Sequence, residues 1–460
     1  MWTRIFRLLG AVLLTLCWPL VCAAQSVGPT PQPQGTLLNP DDTGPVETEN
    51  WAVHGQSTMT WLLQPGFRSS YQGPQSLNAS ANARETVDAT LYLGLRPWPG
   101  AEIWVNPEAD QGFGLSNTFG VAGYVSGEAY KIGAESPYYL MQRAFLRETI
   151  NLGGETQKIE ADLNQLAGTQ TANRLVFTLG KFSIVDVFDT NKYAHDPRND
   201  FFNWSVIDMG TFDYAANAWG FTYGASAEWY QDWWTIRSGL FYMPASPNSV
   251  NIATGFFNQA QFVEELEERH KLWDQPGKLK FLYWLNWGDL GTYPAALGLA
   301  QATGTTPSTA AVRGFRSKYG LGFNLEQQLM SDLGLFMRAG WTEPNVEEDA
   351  FTDIDESLSA GLSLQGVRWG RPDDTAGLAG VVNRISREGK LYLAAGGLGG
   401  ITGDGQLPDA GPEQIIEAYY SLPVFSFAHV TADYQFIKNP AYNRQRGPVS
   451  VFGIRTHVEF

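Results

Sequence analysis

The 460-residue chain carries 31 Lys and Arg against 47 Asp and Glu, a formal charge of -16, so it lacks the basic footprint of a nucleic-acid binder. Aromatics reach 13% and glycines number 49, a mix that suits twisted sheet with many turns better than helix bundles. Length alone leaves open either two or three ordinary domains or one large all-β unit.

Residues 1–24 read as a signal peptide, because Arg4 and Arg7 precede the apolar run "LLGAVLLTLCWPLVCAA", which ends in small residues before Gln25. Leu and Val just before Cys22, in "PLVC", do not fit a lipidation site, which wants small residues there. Loss of Arg4 and Arg7, with no acid in that segment, takes the charge from -16 to about -18. Cys17 and Cys22 leave with the signal, so the exported chain is expected to use neither disulfides nor thiolate chemistry. Residues 25–50, rich in Pro, Gly, Thr and Asn, read as a flexible or loosely docked lead-in.

No apolar run beyond the signal reaches the roughly 18 to 20 residues that a spanning helix needs. A chain that crosses a bilayer without such helices must close into a barrel, since lipid offers no partner for a bare backbone N–H or C=O. Two-residue alternation recurs from residue 51 onward. Leu91, Leu93 and Leu95 oppose Thr90, Tyr92 and Gly94; Ile103 and Val105 oppose Glu102, Trp104, Asn106 and Glu108. Further on, Tyr223 and Trp229 oppose Thr222 and Glu228, and Phe281 and Tyr283 oppose Lys278, Lys280, Trp284 and Asn286. In the closing "VFGIRTHVEF", Phe452, Ile454, Thr456, Val458 and Phe460 share one side, against Gly453, Arg455, His457 and Glu459.

Strands are expected at 52–64, 86–97, 101–108, 139–150, 174–183, 216–230, 232–243, 259–271, 278–288, 316–330, 333–342, 356–369, 375–384, 413–422, 428–437 and 449–460, about sixteen in all. Several approach the 9 to 11 residues of a tilted membrane strand, and an even number suits a single-chain barrel. The run "NQAQFVEELEERHKL" reads as well as a helix. It is taken as a strand because only then do the short turns "WPG", "YQD", "DQPG", "MSDLG" and "LPVFS" fall on one side. Long loops then occupy the other side; the segment 151–173 breaks the pattern, being long on the short-turn side, and is expected to hold a small periplasmic helix. Arg143, Arg147, Arg237, Lys278, Lys318 and Arg338 keep to the non-oily face, as a lipid-facing Arg at the midplane costs roughly 2 to 4 kcal/mol. Lys181 and Arg368 break the parity and would have to lie near a bilayer surface. Aromatics at strand ends, among them Trp219, Trp229, Trp233 and Trp234, fit interfacial girdles.

The strings "LGKFSIVDVFDTNKYAHDPRNDFFNWSVIDMGTFDYAANAWGFTYGASAEWY", "QPGKLKF", "YGLGFNLEQ", "WGRPDDTAGLAGVVN", "GPEQIIEAYY" and "DYQFIKNPAYNRQRGPVSVFGIRTHVEF" together resemble the carbohydrate-selective porin family, OprB type, over most of residues 51–460. The resemblance implies an all-β, transmembrane antiparallel barrel of sixteen strands in the outer membrane, passing monosaccharides such as glucose with no cofactor and no catalysis. It also implies, as partners, small neutral sugars, outer-membrane lipid and, through the terminal Phe460, the barrel assembly machinery. Sixteen-stranded porins commonly form trimers, and a homotrimer is an expectation for which no interface is evident in the sequence.

A sugar pore needs polar groups that replace part of the solute's hydration without holding it. Lumen parity nominates Glu102, Trp104, Glu108, Arg143, Arg147 and Arg237 as pore lining, with charge pairs across a wet lumen as the competing structural role. Asp186, Asp189, Lys192, His195 and Asp196, within the longest family string, are candidates for a constriction loop; the competing reading is a packed loop held by Asp and Asn turn bonds. A general diffusion porin with cation preference, favoured by the acid excess, and a glycan-binding surface barrel stay open as alternatives. A glycoside hydrolase does not fit, since Glu102 and Glu108 lie about 20 Å apart along a strand. The scattered His195, His270, His429 and His457 offer no metal-ligand spacing.

Overall fold

The alternating segments fold into a ladder that returns on itself. The computed structural model describes residues 36–37 and 48–460, apart from 131–132, 216–219, 256 and 351; the signal segment, most of the lead-in and Trp219 lie outside the described residues. The strands are β1 (Trp51–Gln64), β2 (Asn82–Leu95), β3 (Ala101–Phe113), β4 (Gly133–Ile159), β5 (Gly168–Ser183), β6 (Phe221–Tyr230), β7 (Trp234–Tyr242) and β8 (Ala260–Leu272). They continue as β9 (Gln275–Leu290), β10 (Gly314–Met330), β11 (Leu333–Thr342), β12 (Glu356–Gln365), β13 (Thr375–Arg384), β14 (Glu413–Phe425), β15 (Ala428–Lys438) and β16 (Val449–Glu459). Each pairs antiparallel with the next, and β16 pairs with β1 from Phe452 opposite Leu63 to Glu459 opposite Gln56. Closure gives each of the sixteen described barrel strands a neighbour on both sides.

The seam is finished by the last residue. Gly55 N donates to Phe460 O at 2.9 Å and Phe460 N to Gly55 O at 3.0 Å. A Cβ on Gly55 would come within 2.6 Å of the Phe460 ring, so this position needs a glycine. The helix-like run over 258–272 is strand β8, paired on both sides, with Glu265, Glu267 and Arg269 turned inward and buried.

The two faces divide as the alternation requires. Leu91, Leu93, Leu179, Leu321, Leu378 and Ile454 are exposed on the outside, while Tyr92, Trp284, Arg338 and Arg455 are at most 1% exposed. Trp51, Trp98, Trp233, Trp273 and Phe460 mark one rim, and Tyr139, Tyr223, Phe315 and Trp341 the other, so the apolar band is bounded by aromatic girdles. Phe221 is an exception to the alternation: it is 1% exposed, beneath the Arg143 guanidinium 4.8 Å from its ring.

Short turns join the strands at the rim that holds Trp51 and Phe460, and long loops at the opposite rim. The segment 151–173 differs from the expected helix: β4 and β5 continue through it as a paired hairpin with a turn at 160–167. The end of the expected strand 356–369 is instead a 3-10 turn, Gly366–Trp369, in which exposed Arg368 pairs with Asp332 at 2.6 Å. Lys181 folds back so that its Nζ donates to Met141 O at 2.7 Å.

Leu325 lies on the outer face of β10 opposite Met337, midway along β11 between the two rims. Leu325→Arg is expected to destabilise the barrel by about 2 to 4 kcal/mol, read as a lowered urea midpoint for folding into lipid vesicles; an unchanged midpoint would contradict a lipid-facing position.

Candidate functional site

Closing sixteen strands leaves an interior that side chains of the wall cannot fill alone, and two loops from the long-loop rim enter it. Residues 114–128 and 184–215 carry Tyr124, Trp204, Val206, Met209 and Phe212, each at most 1% exposed. The two loops bond each other: Trp204 N donates to Tyr124 O, Ser205 N to Gly123 O and Gly127 N to Phe202 O. Asn203 caps the short helix α1 (Trp204–Ile207) through Ser205 N, and its backbone N–H donates to Glu417 of β14 at 3.1 Å.

Ionic anchors tie the second loop to strands around the ring. Arg198 lies 3.0 Å from Glu108, 3.4 Å from Asp88 and 3.3 Å from Glu128. Asp189 holds Arg338 at 3.0 Å, Asn324 at 2.6 Å and Met209 N at 2.6 Å, while its own N–H donates to Glu265. Arg338 also donates to Val206 O and Ala194 O, and Arg455 to Pro197 O and Asp200 O. Glu413 accepts from Ala122 N and Gly123 N of the first loop. Each anchor satisfies a charge that would otherwise be buried alone at a cost of several kcal/mol.

All six residues nominated by parity point inward, on three separate stretches of wall. Glu102 takes Arg147 at 2.5 Å, Arg96 at 3.5 Å and the Trp104 indole N–H at 3.0 Å. Trp104 is fully covered, stacked near His54 with centroids 6.3 Å apart, so its ring braces the wall and offers no open face. Glu108 accepts from Thr90, Gln142 and Arg198. Arg143 makes a two-pronged pair with Asp186, at 2.8 and 2.6 Å. Arg237 stands among Glu228, Glu265 and Glu267 at 2.8 to 3.0 Å. The loop candidates divide: Asp186 and Asp189 are anchors, Asp196 accepts from Arg198 N and Asn199, His195 Nδ1 lies 3.6 Å from Asp208, and Lys192 is exposed.

Arg198, Glu265 and Glu267 were not among the sequence candidates, and Arg338 was placed on the non-oily face without being nominated for the pore. Strand parity could have found Glu265 and Glu267; Arg198 lies in a loop, where no periodicity points to its partners. Among the described residues no group of three or more His, Cys, Asp and Glu is placed to hold a metal ion.

At the outer mouth a cavity of about 420 Å³ is lined by Tyr293, Arg313, Glu347, Glu348 and Tyr392 among others. Burial pushes the Asp213 carboxyl up to about 6, against the pull of Lys318 and of the Asp349 and Ala350 N–H groups. Burial also raises Glu348 well above the ordinary range, helped by Asp353, and raises Asp349, helped by Asp213. In each case burial disfavours the charged form.

A family model described as carbohydrate-selective porin, OprB family, matches residues 75–460. Among solved structures the high-pH structure of Pseudomonas putida OprB is similar, with 16% identity and a TM-score of 0.68, covering 89% of this chain and 94% of that one. At that identity the likeness shows the fold. The outer membrane channel DcaP of Acinetobacter baumannii is more distant, at 9% identity and a TM-score of 0.48, covering 89% of this chain and 97% of that one. No curated protein sequence matches the chain.

Arg198→Ala removes the cation that faces Asp88, Glu108 and Glu128. The loss is expected to cost about 3 to 5 kcal/mol, seen as a lower thermal midpoint and as protease cleavage within 184–215 while the barrel stays heat-modifiable.

Proposed function

The chain belongs to the carbohydrate-selective porin family, an integral barrel of the outer membrane and a channel rather than an enzyme, and from that premise we propose that it passes neutral monosaccharides of glucose size by passive diffusion into the periplasm. The observation that supports this is the compensation of charge along the lumen. Arg143 with Asp186, Arg147 with Glu102, and Arg237, Arg269 and Lys280 with Glu228, Glu265 and Glu267 balance one for one, while Arg198 faces three acids, Asp88, Glu108 and Glu128. Such groups present donors and acceptors to hydroxyls, while the field that would draw or repel an ion is reduced. Solute hydration can then be exchanged step by step without a deep trap.

On this reading Glu102, Glu108, Arg143, Arg147 and Arg237 line the route, Trp104 stiffens it, and Asp186, Asp189, Lys192, His195 and Asp196 belong to the loop that narrows it. Phe460, at the seam, is the handle for the assembly machinery. The formal charge of -16 favours a second reading, a general porin with cation preference; the pairing of acids with Arg and Lys along the lumen weakens it.

Liposome swelling with glucose, a disaccharide and a size-matched non-sugar solute separates the two. Faster entry of glucose than of the matched solute is expected, with equal rates pointing to a general porin. Arg143→Ala or Arg147→Ala is expected to change glucose flux or ion selectivity with the barrel intact, and native values in both variants would remove these residues from the route.

A further inference from the structure

The hairpin of β4 and β5 runs past the barrel rim, and its path accounts for the one long connection among the short turns. From Arg147 to Ile159, where β4 ends, straight extended chain would carry the turn about 40 Å from the wall at roughly 3.3 Å per residue. The turn instead comes back. Arg147 Nη2 lies 2.5 Å from Asn164 O, and Asn106 Nδ2 lies 2.9 Å from Asn164 Oδ1. Asn106 is an inward, fully buried residue five positions up β3 from Ala101, so the tip reaches on the order of 15 Å along the strand into the lumen.

The reversal takes place at Gly153 and Gly154, with φ of 117° and 87°, where the ladder to β5 slips register; a side chain at either position would be strained. Packing and hydrogen bonds then hold the tip. Leu166 is fully buried in the cluster that includes Trp104, and Leu163 packs against it. Arg96 donates to Ala167 O at 3.3 Å, and Ala167 N donates to Glu49 Oε2 at 2.8 Å. The lead-in adds a two-residue strand, Thr36–Leu37, opposite Lys158 and Gln157.

We propose that the hairpin tip, residues 160–167, is a second selectivity element on the periplasmic side of the channel, where Asn164, braced by Asn106, offers with Arg147 and Glu102 amide, guanidinium and carboxylate groups to the hydroxyls of a departing neutral sugar. The proposal rests on the sugar-channel reading above. A solute that has passed the loop constriction meets the tip before it leaves, so the tip limits the size of what exits.

The test uses the mature chain in bilayers, with 160–167 replaced by an Asn-Gly turn, and with Asn164→Trp and Asn164→Ala as point variants. Single-channel conductance and swelling by glucose and a disaccharide are measured, with heat-modifiable mobility as the check on folding. The shortened tip is expected to raise conductance about twofold and to raise the disaccharide-to-glucose swelling ratio, as a wider exit requires. Asn164→Trp is expected to lower both, and Asn164→Ala to slow glucose entry relative to the size-matched solute. Native conductance and a native ratio in the shortened chain and in Asn164→Trp would overturn the proposal; should the shortened chain not fold, Asn164→Trp decides alone. If the unaltered protein shows no preference for glucose over the matched solute, the sugar reading fails, and the conductance of the variants still decides whether the tip narrows the exit.

Discussion

Every strand of this protein takes its backbone hydrogen bonds from its two neighbours, and the pairing of β16 with β1 is what gives the first and last strands their second neighbour. In lipid an unpaired edge would leave a row of N–H and C=O groups without water or partner, each costing several kcal/mol. Closure is therefore the condition for every other feature. It explains why alternation is kept through β16, and why Gly55 lies beneath the Phe460 ring.

Closure also creates an inside. The wall turns one residue in two toward it, and those residues include most of the strand-borne charges, because the outer face cannot hold them. Opposite charges are brought into contact there, and the loop over 184–215 is held by ion pairs to β2, β3 and β11 and by hydrogen bonds to β8, β10 and β16. Buried pairs of this kind add little net stability beyond an apolar equivalent, but breaking one is expensive. Their effect is to fix where the loop lies, and so the shape of the channel. The same contacts offset part of the negative charge along the route.

The fold was largely legible in the residues. Leu91, Leu93 and Leu95 against Tyr92, or Phe452 and Ile454 against Arg455, state by themselves which face meets lipid, and the spacing of turns fixes which rim each connection occupies. Even "EELEERH", with its helix-forming glutamates, resolved correctly once the alternation of short and long connections was applied. The candidate site was legible only in part. Parity placed Arg143, Arg147 and Arg237 inside, yet it says nothing of a loop residue such as Arg198, nor that Trp104 would be covered.

Sequence alone determined the barrel, its strand count, its two faces and its seam, because those depend on a period of two and on turns a few residues long, which are local properties of the chain. Tertiary structure alone decided which charges meet. Arg338 finds Asp189 from 149 positions away and Arg198 finds Asp88 from 110, distances over which no periodicity carries information. It decided as well that the hairpin turns back at Gly153 and Gly154, since two glycines permit a reversal without requiring one. What required it was the lumen, where Leu166 finds apolar cover and Asn164 finds Arg147 and Asn106.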